Sequence, residues 1–169
     1  MKALITGVDG FVGKYLSEYL LEQGYEVYGT TISENNKNDK INVEKMNLLD
    51  TEQVNEVIND IKPDKIFHLA GQSAVGLSWE KPVLTVNINV NGTLNLLEAV
   101  RNYSKDSKIL IIGSSDQYGP IKPEECPIKE NKIQNPQSPY GVSKKAQEEM
   151  CKLYVNAYNM NIVMVRAFN

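Results

Sequence analysis

Residues 2–13 read KALITGVDGFVG, a short apolar run followed by glycines at every third position. Gly7 permits a tight turn after a strand, Gly10 lets backbone N–H groups approach a pyrophosphate, and Gly13 lets a following helix pack closely. The spacing is G-x-x-G-x-x-G rather than G-x-G-x-x-G, and an ordinary glycine-rich turn is the alternative. Because the glycines lie between a predicted strand and a predicted helix, the stretch favours a dinucleotide-binding turn.

Strand-like apolar runs alternate with segments of helical period along the rest of the chain. The predicted strands are Lys2–Thr6, Tyr25–Thr30, Val43–Asn47, Lys65–Leu69, Lys108–Gly113 and Ile162–Ala167. The predicted helices are Phe11–Gln23, Asp50–Asp60, Leu84–Tyr103 and Ser138–Asn159. The first helix carries an apolar stripe made of Phe11, Val12, Tyr15, Leu16, Tyr19 and Leu20. Repeated βαβ order with right-handed crossovers predicts an α/β fold, a doubly wound parallel sheet of the Rossmann type.

Composition narrows the function classes. The 169 residues carry a net charge of -3, and their basic residues are scattered, so a nucleic-acid-binding face is not expected. No apolar run approaches the ~20 residues of a membrane span. Met1 leads directly into a strand, which argues against a signal peptide. Cys126 and Cys151 show neither disulfide nor metal spacing and are interpreted as reduced thiols of a cytoplasmic protein without a metal site.

The end of the second predicted strand bears on the choice of nicotinamide cofactor. NAD-binding folds usually place Asp or Glu there to bind the ribose 2′-OH. Here the chain reads VYGTTIS over residues 27–33, with Thr31 near the strand end and no acid until Glu34. This absence favours NADP, but no arginine follows for a 2′-phosphate, and Lys37 lies further along. NADP and NAD both remain open.

A second motif supplies candidate proton chemistry. Tyr140 and Lys144 are four residues apart at the start of a predicted helix and share a face. A nearby ammonium would lower the pKa of the tyrosine and make it usable as an acid or base. A solvated surface pair is the alternative, but the pair follows a strand that ends near Ser114. Ser114 would bind the reacting oxygen, and Asp116 is either a base or a loop carboxylate that caps a backbone N–H.

The chain has one histidine and one tryptophan. His68 lies at the end of the fourth predicted strand, where a structural or cofactor-edge role is favoured because Tyr140 and Lys144 already supply proton transfer. Trp79 is predicted to be a packing residue.

At these motifs the chain resembles the extended short-chain dehydrogenase/reductases of the nucleotide-sugar epimerase/dehydratase group. The matching stretches are TGVDGFVG (6–13), NLLD (47–50), IFHLAGQS (66–73), NVNGTLNLLEA (89–99), GSSDQYG (113–119), SPYGVSK (138–144) and RAFN (166–169). The resemblance implies a triad of Ser114, Tyr140 and Lys144. It also implies cofactor contacts from Gly7, Gly10, Phe11, Val12, Gly13, Thr31, Asn47, Leu48, Leu49, Leu69, Ala70, Gly71 and Lys144. The family often has Asp at the position of Asn47 and Ala at that of Gly71.

Within the group, the chain most resembles the GDP-6-deoxy-4-keto-mannose reductases, close relatives of the GDP-mannose 4,6-dehydratases. Asp116 takes the place where dehydratases carry a glutamate base. Aspartate is one methylene shorter, and this favours ketone reduction at C4 of a nucleotide-diphosphate sugar. The alternatives are a 4,6-dehydratase, a 4-epimerase, and a dinucleotide-binding module without catalysis.

The resemblance also sets expectations for size and assembly. Family members continue for about another hundred and fifty residues with a small substrate-binding domain. The chain is therefore interpreted as one NAD(P)-binding Rossmann domain, residues 1–169, of a longer enzyme whose C-terminal substrate domain is missing. Family dimers form through two helices of each subunit, which 84–103 and 138–159 resemble, so a homodimer is expected.

Overall fold

The fold is built on one sheet of six parallel strands in the order β3-β2-β1-β4-β5-β6. The computed structural model describes residues 1–33 and 40–168. Glu34 and Lys37, which bear on the cofactor choice, lie outside the described residues, as does most of the polar stretch 33–40. The strands are β1 Lys2–Thr6, β2 Glu26–Thr31, β3 Asn42–Lys45, β4 Lys65–His68, β5 Lys108–Ser114 and β6 Asn161–Ala167.

Helices cover both faces of this sheet, which confirms the doubly wound Rossmann fold. They are α1 Phe11–Glu22, α2 Thr51–Ile61, α3 Val75–Glu80, α4 Pro82–Val86, α5 Gly92–Tyr103 and α6 Pro139–Tyr158. The alternation of side chains along β1 divides the core into two clusters. Ala3 and Ile5 pack with Leu20 of α1, whereas Leu4 packs on the other face with Leu97 of α5.

The strand order reverses between β1 and β4, and such a switch point forms a crevice at the carboxyl ends of the strands. Thr6 of β1 pairs in register with Thr30 of β2 and with His68 of β4. The glycine turn after β1 and the segment after β4 therefore lie side by side at this edge. This edge holds most of the residues that the sequence assigned to a site.

Only part of the apolar stripe predicted for α1 faces the sheet, because Leu16 and Leu20 pack into the core while the aromatic side chains lie outside. Phe11 is 79% exposed and Tyr15 65% exposed, and their rings meet edge to face at 5.2 Å. The buried residues are Gly13, Ser17 and Leu20. A Cβ at Gly13 would lie 2.6 Å from the carbonyl oxygen of Val8, so the glycine brings the helix close to the preceding turn. This contact fixes the rotation of α1 and leaves the aromatic side chains outside.

The single long helix predicted for 84–103 is interrupted. Between α4 and α5 the backbone forms a π-helical turn, Asn87–Asn91. Such turns often occur at functional sites, because they insert one residue and redirect the side chains. Here the turn carries Asn89, which is 1% exposed. Its side chain contacts Gln72 in the segment after β4 and Ser143 in α6.

Candidate active site

The glycine turn is fixed to β2 by its own backbone. The N–H groups of Gly7 and Val8 both donate to the carbonyl of Thr30, at 2.9 and 3.1 Å. Gly7 has a φ of +70°, and a Cβ there would lie 2.9 Å from Cα of Ala70. The positive φ and the close approach both require glycine at this position. The turn after β1 and the segment after β4, residues 69–71 (the LAG segment), thus form one continuous cradle.

Other predicted cofactor residues follow β2, β3 and β4 at the same edge. Asn47 accepts a hydrogen bond from Leu49 N at 3.0 Å, and the Leu49 side chain is 41% exposed. Leu48 differs, since its side chain is buried against Gly92 and its carbonyl accepts from Asn95. Leu48 therefore contributes to the core. The residues that this edge brings together are Gly7, Gly10, Phe11, Val12, Gly13, Thr31, Asn47, Leu49, Leu69, Ala70 and Gly71.

The predicted proton-transfer residues come from β5 and α6. β5 ends at Ser114, and its backbone N–H donates to Gln117 at 2.8 Å across a short 3-10 turn. Ser138 caps α6 by accepting from Gly141 N at 3.0 Å, with Pro139 in the first helical position. The cap places Tyr140 in the first turn, where its side chain is buried and lies close to Ser114.

The environment of Tyr140 corrects one expectation. Burial raises the pKa of Tyr140, and the nearby hydroxyl of Ser114 offsets this only in part; Asp116 raises the pKa further by its charge. Lys144, expected to lower this pKa, is not among the groups that set it, because its ammonium binds elsewhere. Tyr140 is therefore a protonated phenol at neutral pH.

The ammonium of Lys144 lies beside the predicted cofactor residues at the carboxyl ends of the strands, here called the cofactor edge. It donates to the carbonyl of Ile112 at 2.8 Å and to Oε1 of Gln147 at 3.1 Å. Burial lowers the pKa of Lys144 to about 8. A Cβ at Gly71 would lie 3.8 Å from its Nζ, so the lysine lies directly beside the LAG segment. The side chain is held in place by two hydrogen bonds and carries a third N–H.

His68 is part of a buried polar chain that ends at Lys144. Nε2 of Gln147 donates to Oγ1 of Thr93 at 2.7 Å, and this hydroxyl donates to the carbonyl of Asn89 at 2.8 Å. The hydroxyl of Thr93 has no second proton, so Nε2–H of His68 donates to it at 3.0 Å. Nδ1 then accepts from Thr6 at 2.8 Å. Burial lowers the pKa of His68 to about 3, which fits a neutral structural histidine.

Sequence reasoning did not single out Asn89. Its Nδ2 donates to the carbonyl of Gln72 at 3.0 Å and to the hydroxyl of Ser143 at 2.9 Å, and its Oδ1 accepts from Gln72 N at 2.8 Å. Asn89 therefore ties the segment after β4 to α6, next to Lys144. The available signal was an asparagine, a poor helix former, inside an apolar helical pattern.

The buried carboxylate of Glu148 helps to hold the segment around Ser114 in place. Glu148 is 5% exposed and binds Arg166 at 2.6 and 2.8 Å, Lys152 at 2.8 Å and Nε2 of Gln117 at 2.7 Å. Burial alone would raise the pKa of Glu148, but these donors outweigh it and hold the pKa well below its ordinary range. The charge of Glu148 thus holds Gln117, which in turn binds the backbone of Ser114.

A cavity of about 770 Å³ opens beside the turn that follows Ser114 and beside the start of α6, although neither Ser114 nor Tyr140 lines it. Asp116 and Ser138 line it together with the apolar side chains of Val75, Trp79 and Phe168. Trp79 is 64% exposed, so the packing role predicted for it is wrong, because it forms a wall of this cavity instead. The volume and the mixed lining are typical of small-molecule sites.

Across the described ranges 1–33 and 40–168, no group of acidic, histidine or cysteine side chains has the arrangement of a metal site. Helices long and apolar enough to cross a membrane are likewise absent from these ranges. Cys126 and Cys151 are both free thiols.

The family model for GDP-mannose 4,6-dehydratases matches residues 4–169. The chain belongs to this family. GDP-mannose 4,6 dehydratase 1 of Arabidopsis thaliana is 36% identical over 94% of the chain and 48% of its own length. The GDP-6-deoxy-D-mannose reductase of Pseudomonas aeruginosa is 32% identical over 99% of the chain and 52% of its own length. The chain therefore spans about half the length of these relatives.

Solved structures agree with this membership. The UDP-glucose 4-epimerase of Thermus thermophilus, in complex with NAD, superposes with a TM-score of 0.90 at 32% identity. It matches 98% of the chain and 54% of its own length. The structure of RMD from Pseudomonas aeruginosa, complexed with NADPH, gives 0.82 at 32% identity, over 99% of the chain and 54% of its own length.

Proposed function

We propose that residues 1–169 form the NAD(P)-binding domain of a nucleotide-sugar oxidoreductase. Its reaction is the reduction of the C4 ketone of a GDP-4-keto-6-deoxy-mannose-type sugar. The observation that carries the proposal is that the buried Tyr140 lies close to Ser114 at the carboxyl end of β5, next to the residues Ser115, Asp116 and Ser138 that line the cavity. Family membership supports the substrate class, because the relatives are named as enzymes of GDP-mannose and its 6-deoxy derivative.

The residues at the cofactor edge fit a dinucleotide. A Cβ at Gly7 would collide with Ala70, and one at Gly10 would lie 3.2 Å from the carbonyl of Gly7, so the turn leaves room only for backbone. The turn leads directly into α1, and the amino end of this helix attracts a pyrophosphate. When bound, a reduced nicotinamide supplies a hydride to the carbonyl carbon. The adjacent Lys144 would bind its ribose through the third ammonium proton.

Tyr140 is the proton donor in this proposal. The raised pKa keeps its hydroxyl protonated at neutral pH, and this is the form that a ketone reductase needs before each turnover. As the carbonyl carbon gains hydride, its oxygen becomes basic and takes the proton from Tyr140 Oη, which yields the alcohol. Ser114 donates a hydrogen bond to the same oxygen and so stabilises the developing charge.

A 4,6-dehydratase is the second candidate, and the place of Asp116 in the cavity wall supports it, although aspartate is one methylene shorter than the glutamate base of dehydratases. This residue lines the cavity two positions after Ser114, where a base could remove a proton from the carbon next to the ketone. The family model that matches the chain also carries this activity in its name. In this reaction the cofactor is recycled, and no net NAD(P)H is consumed.

Product analysis separates the two candidates. The purified protein is incubated with GDP-4-keto-6-deoxy-mannose and NAD(P)H, and in parallel with GDP-mannose and NAD(P)⁺. We expect one mole of NAD(P)H to be oxidised per mole of 6-deoxy product in the first reaction and no turnover in the second. Conversion of GDP-mannose to the keto sugar without net cofactor change would show a dehydratase. Sugar inversion without redox change would show an epimerase.

The homodimer remains a proposal as well. Leu153 of α6 and Val83 of α4 are 58% and 72% exposed, and such apolar side chains on these helices are what a helix-mediated dimer would cover.

A further inference from the structure

One acidic side chain of the glycine turn reaches the end of β2. Asp9 lies between Gly7 and Gly10, and its Oδ2 accepts a hydrogen bond from Oγ1 of Thr31 at 2.8 Å. Thr31 is the last residue of β2, and its hydroxyl also accepts from the backbone N–H of Ser33 at 3.0 Å. The carboxylate is therefore fixed at the carboxyl end of β2, although Asp9 is remote from this strand in the sequence.

This position is the one that separates NAD from NADP in dinucleotide-binding folds. An acid at the carboxyl end of the second strand accepts a hydrogen bond from the ribose 2′-OH of NAD, whereas NADP sites place a cation there. The strand itself ends in Thr30 and Thr31 and supplies no acid. On strand sequence alone the chain favours NADP, and the location of Asp9 reverses that preference.

We propose that Asp9 is a specificity-determining residue that makes this protein prefer NAD over NADP. The inference rests on the proposed dinucleotide-binding function and adds the choice of cofactor to it. The Oδ1 atom of Asp9 has no hydrogen-bond partner within residues 1–33 and 40–168 and is available to accept from a 2′-hydroxyl. A 2′-phosphate would instead meet a like charge held in place by Thr31.

The geometry also explains why the acid can come from the turn. The N–H groups of Gly7 and Val8 both bind the carbonyl of Thr30, which pulls the start of the turn against the end of β2. Asp9 is the next residue and is exposed, so its side chain extends over this strand end without displacing any core group. The carboxylate and the glycine cradle therefore lie on the same continuous surface.

The test is direct binding of NAD⁺ and NADP⁺ by isothermal titration calorimetry, with Asp9→Asn as the variant. The amide still accepts from Thr31 but has no charge, and Asp9 is exposed, so the fold is retained. We expect the wild-type protein to bind NAD⁺ at least about tenfold more tightly than NADP⁺. In Asp9→Asn we expect this ratio to fall by about tenfold, mainly because NADP⁺ binds better. Asp106→Asn, the same change in an exposed loop at the opposite edge of the sheet, should leave both affinities unchanged.

The binding results distinguish a failure of the role assigned to Asp9 from a failure of the proposed dinucleotide-binding function. Equal or tighter binding of NADP⁺ by the wild-type protein would overturn the role of Asp9 while leaving the dinucleotide site intact. An unchanged ratio in Asp9→Asn would overturn it in the same way. Absence of binding by either dinucleotide would overturn the proposed function and the inference together.

Discussion

Tyr140→Phe is expected to lower the kcat for ketone reduction by about 10²- to 10⁴-fold, because it removes the only proton that the proposed mechanism delivers to the carbonyl oxygen. The aromatic ring, which is buried beside Ser114, remains in place. Affinity for the dinucleotide, measured by calorimetry, should therefore change by less than about twofold.

Tyr103→Phe is the matched control, since this tyrosine is 41% exposed at the far end of α5 and loses the same hydroxyl. Its kcat should equal that of the wild-type protein. Turnover by Tyr140→Phe at the wild-type rate would remove Tyr140 from the mechanism.

Glu148→Ala should lower the free energy of unfolding by about 3 kcal/mol or more. The substitution leaves the guanidinium of Arg166 without the carboxylate that it contacts at 2.6 and 2.8 Å, in a site where the arginine side chain is 15% exposed. It also removes the nearer of the two acceptors of Nε2 of Gln117, the other being Oε1 of Gln134 at 3.2 Å. Urea unfolding at neutral pH, followed by circular dichroism, measures the loss.

The neighbouring Glu149 supplies the control. Its side chain is 55% exposed and pairs with Lys152 at 2.8 Å, so Glu149→Ala removes a salt bridge that water already screens. We expect a change within about 0.5 kcal/mol. Equal losses in the two variants would mean that the buried network around Glu148 contributes no more than a surface pair.

The sheet could be predicted from the sequence because strand and helix periods alternate and glycines mark their junctions. The rotation of α1 about its axis could not be predicted. Hydrophobicity alone predicted that Phe11 and Tyr15 face the core, whereas the close approach of Gly13 to Val8 leaves both aromatic side chains exposed. The π-helical turn at 87–91 is a departure of backbone geometry that leaves no mark in an apolar pattern. Local sequence predicts periods, whereas these two features are set by contacts between distant segments.

In the candidate site, too, local sequence predicted the positions of residues but not the contacts between distant segments. The motifs identified Ser114, Tyr140 and Lys144, and their positions on β5 and α6 followed from strand order. The chemical state of Tyr140 did not follow, because the four-residue spacing to Lys144 does not reveal that the ammonium binds Ile112 and Gln147. The location of Asp9 at the end of β2 was likewise hidden, since it depends on hydrogen bonds across the turn.

Isotope transfer tests the proposed reduction most directly. The protein is incubated in ordinary water with GDP-4-keto-6-deoxy-mannose and a reduced nicotinamide dinucleotide deuterated at its transferring position, and the product sugar is analysed by NMR and mass spectrometry. The account predicts one deuterium per molecule, at C4 of the sugar. A reduced product with protium at C4, or no reduced product, would contradict it.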